Sequence, residues 1–446
     1  MSYLDTLANK KIAILGLGVS GLSCVSFLSK FRIKPFVMDS NLESKGVKHV
    51  KLKWPKINVY QLDDEQLFAA DMLIISPGIA LSTPKLVEAK KRGIEIIGDV
   101  ELFARINNKP VIAITGSNGK TTVTKLVTQL LNDAGHHAVF GGNIGVPVLD
   151  LLAKPFDVAV LELSSFQLET TDSLKAKTAT ILNVVEDHMD RYDSFDGYVD
   201  AKQKIYEHCE TAVYNRLDAK TQPVKGATCS FGIQSPTNNN VGVRDCHFSD
   251  GDQQICPLNS LKLVGQHNVL NALAAIALVK PFKVDAAVIE QTFKQFKGLP
   301  HRCELVTGTG KVQWINDSKA TNVGATVAAL QGIKPLCKGK LILIAGGVGK
   351  DADFTPLQQA LNEHVDHLIT FGRDGEQIAK LVNQAGLFVK ADRATSLDEA
   401  VNKAFKLAAN DDCVLLSPAC ASFDMFANFE ARGERFIALA QEAYHV

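Results

Sequence analysis

The chemistry-bearing residues of this chain are densest in "VIAITGSNGKTT", residues 111–122. An apolar run enters a glycine turn, and a lysine followed by two threonines opens a helix. Backbone N–H groups at such a turn cradle phosphates, the lysine reaches the outer phosphates of a nucleotide, and a threonine hydroxyl ligates Mg²⁺. The common pattern G-x-x-x-x-G-K-[ST] would put a glycine at 114, where this chain has Ile114. Gly116 and Gly119 still permit turning and close approach. Gly116, Ser117, Asn118, Gly119, Lys120, Thr121 and Thr122 are therefore expected to form a shortened phosphate loop. A helix N-terminus with an incidental lysine is the alternative.

Three more residues have types that suit a metal beside that loop. Glu162 in "VAVLELSSFQ" shares a strand face with Val158 and Val160 by period two. A carboxylate buried there is costly unless paired, and a metal is a natural partner; a strand-end glutamate facing water is the other reading. His188 in "NVVEDHMDRY" follows the next buried strand and should emerge at the same sheet edge, outside the carboxyl ends of parallel strands. Taken alone, it is as well read as a surface or structural histidine. Lys202 in "SFDGYVDAKQKIYEHC" falls on a helical stripe with Phe195, Tyr198, Val199, Ile205 and Tyr206, at i+4 from Tyr198 and i−4 from Tyr206, while Lys204 points away. A solvated or snorkelling lysine is an even alternative. Burial would leave Lys202 a neutral amine able to add CO₂, and the resulting carbamate is an acidic ligand.

A second glycine turn, Gly16-x-Gly18-x-x-Gly21, follows the strand "KIAIL", and Asp39 ends the next strand. This approaches the dinucleotide fingerprint, although any nucleotide diphosphate satisfies the same physics and a ligand-free turn is open. Weaker polar clusters lie further on: Asn268 and Asn271 one turn apart, Arg302 in "LPHRCE", and Asp317, Lys319 and Thr321 in "NDSKATN". Together they suggest nucleotide contacts across a cleft.

The elements that must position these residues read as three α/β passes. Short buried strands alternate with helices from 11 to 98, again from 110, and again from about 300. Residues 210–265 lack helical period and read as a small β insertion or edge sheet. The expected domains are 1–98, 99–298 and 299–446. Lys+Arg equals Asp+Glu, which argues against a nucleic-acid or membrane-surface binder. The nine cysteines include no C-x-x-C pair, so a reducing cytoplasm fits. No membrane insertion is expected, because no apolar run reaches ~18 residues and no signal segment is evident.

The order of "TGSNGKTT", "ELSSFQ", "NVVEDHMDRY", "YVDAKQKIY", "GQHNVLNALAA", "PHRCE" and "NDSKATN" resembles the Mur ligase family, ATP-dependent amide-forming enzymes of peptidoglycan synthesis. "GLGVSGLS" and "LLSPACASFDMFANFEARGERF" are most similar to the member that adds D-glutamate to UDP-N-acetylmuramoyl-L-alanine. The resemblance implies a Rossmann-like UDP domain, a central ATPase domain with a mainly parallel sheet, and a Rossmann-like C-terminal domain that closes over ATP. It implies that Gly18, Val19, Ser20, Gly21, Asp39, Ser40 and Gly78 face the UDP moiety, and Asn143 and Ser164 the muramoyl-alanine arm. Lys120 and Thr121 would hold phosphates and a first Mg²⁺. Glu162, His188 and carbamylated Lys202 would serve a second Mg²⁺. Asn268, Asn271, Arg302, Asp317 and Lys319 would bind ATP, and Thr321, Lys350, Ser422, Phe423 and Phe429 would surround D-glutamate. A monomer is expected. An NAD-dependent oxidoreductase would explain the first glycine turn but leaves Lys120, His188 and Lys202 idle. A folylpolyglutamate synthase would not need that turn, and a catalytically dead binding protein would tolerate loss of Lys120.

Overall fold

The computed structural model describes residues 3–306, 311–384 and 389–443, which form three sheets in chain order. The first has five parallel strands in the order Val59–Gln61, Phe36–Asp39, Ile12–Leu15, Met72–Ile75, Glu95–Ile97. Ile12–Leu15 and Met72–Ile75 are buried throughout, which is why their sequences run apolar without alternation. The strand order reverses at Ile12–Leu15, and the Gly16–Gly21 turn leaves from that switch point.

The second sheet has nine strands. Val111–Thr115 lies third from one edge, between Val158–Glu162 and Thr178–Ile181, parallel to both. Ala138–Gly142 closes one edge. The expected insertion or edge sheet over 210–265 is continuous with this sheet. Thr211–Asn215 and Thr228–Phe231 are parallel members of the same sheet, and only the three strands beyond them form an edge with an antiparallel meander. The physical reason is a shared core: Val213, Cys229, Phe231, Val241 and Phe248 pack in one cluster with helices Lys120–Asp133 and Gln266–Val279.

The third sheet has six strands in the order Glu304–Val306, Gln313–Asn316, Cys413–Leu416, Leu341–Gly346, His367–Phe371, Lys390–Arg393. All are parallel except the first, which pairs antiparallel with its neighbour.

The cores are unevenly shared. One apolar cluster runs from Leu7 to Ala212 and unites the first sheet with a face of the central one. The third sheet is packed by two clusters whose members all lie beyond Arg302. Among the described residues no helix is long and apolar enough to cross a membrane.

The Lys202 helix is shorter than its stripe suggests. It ends at Gln203, and Lys204–Tyr206 continue as a 3₁₀ turn. Tyr206 is thereby turned under the sheet, where its hydroxyl accepts from Ile181 N at 2.9 Å and lies 2.8 Å from Val213 O.

Candidate active site

The phosphate loop is built by its glycines and held by distant partners. Gly116 (φ 148) and Gly119 (φ 83) take backbone conformations that side chains disfavour. Ser117 N donates to Asn183 O at 2.9 Å, Asn118 N to Asn183 Oδ1 at 2.8 Å, and Asn183 Nδ2 returns a bond to Asn118 O at 3.1 Å. The Ser117 hydroxyl donates to Val185 O at 2.8 Å and lies 3.1 Å from the Tyr198 hydroxyl. The loop is therefore splinted by the segment that extends the Thr178–Ile181 strand.

Two lysines converge on one carbonyl of this loop. Lys120 Nζ donates to Gly116 O at 2.7 Å and Ser117 O at 2.9 Å. Lys202 Nζ donates to the same Gly116 O at 3.2 Å and stands 4.4 Å from the centre of the Tyr198 ring. Lys202 is 2% exposed, which decides between the buried and solvated readings. Burial, reinforced by the charge of Lys120, pushes its ammonium well below the ordinary lysine range. Lys120 is also lowered by burial, against the attraction of Glu162 and Asp187.

Glu162 is buried, and its Oε1 accepts from Asn143 Nδ2 at 3.0 Å. Its Oε2 is buried without a hydrogen-bond partner, a costly state that a ligand would relieve. His188 takes a left-handed backbone (φ 61) and lies edge-on to Phe166, 5.0 Å between ring centres. Burial lowers its pKa to about 4, so the imidazole is neutral and can ligate a metal. Among the described residues no group of three His, Cys, Asp or Glu side chains is assembled. Glu162 and His188 would therefore complete a metal shell only with oxygens from elsewhere.

Residues of the third sheet reach across to this edge. Arg302 donates to Thr121 Oγ1 at 2.8 Å, so the hydroxyl expected on Mg²⁺ is engaged by a guanidinium. Lys350 is ion-paired with Asp187. Burial would raise the Asp187 carboxyl, but Lys350 and His188 hold it below the usual range. Asn118 and Asn322 exchange amide bonds of 3.2 and 3.1 Å, and Asn322 Nδ2 also donates to Asp187 Oδ2 at 3.3 Å. Asp317 accepts from Ser417 Oγ at 2.7 Å and Cys303 N at 3.2 Å, and burial raises it to about 7. Lys319 lies 4.0 Å from the centre of the Phe429 ring; burial, then Arg302 and Lys120, lower it to about 8.

These groups line two adjoining cavities. The larger, about 490 Å³, gathers Ser117, Lys120, Thr121, Asn143, Glu162 and His188 with Thr321, Lys350, Ser422, Phe423 and Phe429. The smaller, about 180 Å³, is lined by Thr122, Asn268, Asn271 and Asp317. Asn118, Gly119, Arg302 and Lys319 belong to both. Lys202 is buried beneath the loop with the Gly116 carbonyl as its partner.

The N-terminal turn stands apart. Gly21 touches the turn so closely that a Cβ would meet Gly16 O at 1.9 Å, whereas a Cβ at Gly18 or Gly78 would meet nothing within 4 Å. Space for a ligand is thus left at those two. Asp39 Oδ2 accepts from Leu17 N at 2.7 Å and Oδ1 from Asn41 N at 2.9 Å, so it braces the turn. Val19 is exposed, and Ser20 and Ser40 lie in the same turn and strand end. Ser164 caps helix Ser165–Leu168 through a capping box with Gln167. Asn183, Asp187 and Asn322 were not singled out by sequence, although an asparagine three residues ahead of a helical amide is a capping signal.

Residues 10–98 match the family description "Mur ligase MurD-like, N-terminal domain", 114–279 "Mur ligase middle domain", and 301–420 "Mur ligase, glutamate ligase domain". The chain is 49% identical to the UDP-N-acetylmuramoylalanine--D-glutamate ligase of Shewanella violacea, over 96% of this chain and 95% of the relative. It is 50% identical to the ligase of the same name from Shewanella oneidensis, over 95% and 96%. In fold it is similar to a pseudomurein peptide ligase type C from Methanothermus fervidus, with a TM-score of 0.62 at 22% identity, covering 96% of this chain and 99% of that one.

Proposed function

The chain belongs to the Mur ligase family, and on that premise we propose that it joins D-glutamate to UDP-N-acetylmuramoyl-L-alanine with ATP, releasing ADP and phosphate. The observation that carries this reading is one cleft holding Lys120, Arg302, Lys319 and Lys350 around a buried Glu162 with an unpartnered oxygen. Such a cleft suits the meeting of a triphosphate with a carboxylate, two anions that repel each other.

Lys120 is the group to leave its loop carbonyls for the γ-phosphate, drawing the transferring phosphoryl towards the alanine carboxylate. Arg302 and Lys319 neutralise the remaining phosphates, while Asn268, Asn271 and Asp317 border the nucleotide. Attack by the carboxylate gives an acyl phosphate, and the amine of D-glutamate displaces phosphate from it. Thr321, Lys350, Ser422, Phe423 and Phe429 hold that amino acid, and the third sheet excludes water that would hydrolyse the acyl phosphate. Asn143 and Ser164 face the muramoyl arm, and the Gly16–Gly21 turn with Asp39, Ser40 and Gly78 takes the UDP end.

The donor set fits Mg²⁺: Glu162 Oε2 lacks a partner, His188 is neutral, and Lys202 is a buried amine. Thr121 would serve one ion after Arg302 lets go, and Glu162, His188 and Lys202 as carbamate a second. When bound, the ions neutralise phosphate charge and stabilise the oxyanion of the displacement step. Carbamate formation joins Nζ to the carbon of CO₂ and releases one proton to solvent.

The nine cysteines are free, which suits a reducing cytoplasm. There the product would feed cell-wall assembly, and through it cell shape and division. The test is phosphate release with the UDP-sugar and D-Glu, L-Glu or L-Ala. Release dependent on D-Glu and ATP is expected; release with L-Ala alone would reject the assignment.

A further inference from the structure

Helix Val323–Ile333 carries two glycines, at 324 and 332. Neither has a positive φ, so the backbone does not require them, and each costs a helix up to about 1 kcal/mol relative to alanine. The reason lies across the cleft. A Cβ on Gly324 would meet Val185 Cγ2 at 3.0 Å, and a Cβ on Gly332 would meet Gly265 Cα at 3.2 Å and His267 Cε1 at 3.5 Å. Val185 belongs to the segment that splints the phosphate loop, and Gly265 precedes helix Gln266–Val279. The helix thus rests on the central part of the chain at two points about 12 Å apart, eight residues at 1.5 Å each. Between those points Ala325, Ala328 and Ala329 line the smaller cavity, opposite His267, Asn268 and Asn271.

We propose that this helix is the roof of the nucleotide cavity, and that Gly324 and Gly332 are positioning residues, the seats that fix the height of the roof above Asn268 and Asn271. The proposal rests on the reading that ATP occupies the cavity. At 332 the facing atom is backbone, which cannot rotate away. Any side chain there must part the helix from that backbone by at least a few tenths of an ångström. At 324 the facing atoms belong to a valine side chain, which can yield.

Gly332→Ala separates this role from a structural one, because alanine favours the helix while obstructing its seat. The variant should melt at or above the wild-type temperature. Its KM for ATP should rise about fivefold, the equivalent of ~1 kcal/mol of overpacking. Gly332→Leu should exceed tenfold, Gly324→Ala should be milder than Gly332→Ala, and KM for the UDP-sugar should stay within twofold in all three. Gln331→Ala, on the exposed side of the same helix, should change nothing. Direct ATP titration of the wild type accompanies the kinetics. Binding to the wild type with KM for ATP unchanged in Gly332→Ala and Gly332→Leu overturns the seats alone. If both 332 variants fail to fold, an ATP KM within error of wild type in Gly324→Ala does the same. A wild type that binds no ATP overturns the functional reading and the roof with it.

Discussion

Two glycine turns leave parallel strands in this chain, at 16–21 and at 116–121, and they are stabilised in different ways. The N-terminal turn is braced from the two strands beside it: Gly21 packs on Gly16 O, Asp39 accepts from Leu17 N, and Ser76 Oγ donates to Gly16 O at 2.8 Å. The central turn is held from far away, by Asn183, Tyr198 and Asn322, and its carbonyl at Gly116 collects two lysines. The difference matches what each must do. On the proposed function, a turn that only binds can be finished by the strands beside it, whereas a turn that takes part in chemistry must be answerable to groups that arrive with other substrates. Substitutions around the central turn should therefore spread to several substrates, and those around the N-terminal turn should stay local.

The largest effect is expected for Lys120→Ala, a loss of about 10²–10³-fold in kcat, the scale of removing one transition-state donor. Phosphate release checks it, and activity within tenfold of wild type would dismiss the comparison. Lys202→Arg keeps a long nitrogen-bearing side chain but cannot form a carbamate, and a loss near ~10²-fold is expected on the same grounds. Mass spectrometry under bicarbonate should find the added CO₂ on the wild type only. Asn322→Ser keeps a helix cap but cannot span to Asn118 and Asp187. Losing three bonds of about 0.5–1.5 kcal/mol each should raise KM for D-glutamate at least about tenfold. A double-mutant cycle with Asn118→Ala should show strong coupling, and simple additivity would mean that the two amides do not act as a pair. Asp39→Asn should raise KM for the UDP-sugar only, about fivefold for ~1 kcal/mol of weakened bracing. A parallel rise in KM for ATP would erase the distinction between the turns.

The smallest effect is on stability. Burial holds His188 and His267 at about 4, against 6.5 for the free side chain. Between those values the unfolded chain binds protons that the folded one refuses. Their share of stability is complete above pH 6.5, falls as the pH drops towards 4, and levels off below. Melting curves across that window should show the decline, and His188→Gln should shallow it.

Much of this site was legible because parallel strands deliver their ends to one edge. Glu162 and His188 could be put beside Lys120 from strand order alone, and the stripe around Tyr198 marked Lys202 as a residue to watch. The splint and the clasp were not legible. Asn183, Asp187 and Asn322 are polar residues in loops, and nothing local tells which partner many residues away will accept their bonds. The strands over 210–265 were legible as an insertion or edge sheet, but not their continuity with the central sheet: their polar, broken sequences obey the core they share with helix Gln266–Val279, which lies further along the chain. Ser164 shows the converse. Its S-x-x-Q spacing is a capping box on its face, and the cap is present whatever else the side chain touches.

The uneven sharing of cores has a thermodynamic consequence. The buried apolar clusters of the third sheet do not extend into the rest of the chain, and the groups that meet across the seam are largely amides, an ion pair and a guanidinium. Parting that seam wets these polar groups together with the small apolar contacts of helix Val323–Ile333, and the heat-capacity increments of polar and apolar surface, opposite in sign, partly cancel. The enthalpy of opening should then be nearly constant with temperature. A van 't Hoff plot of the opening equilibrium would run straight where global unfolding curves, and the population able to admit substrate would drift only gently as the surroundings warm or cool.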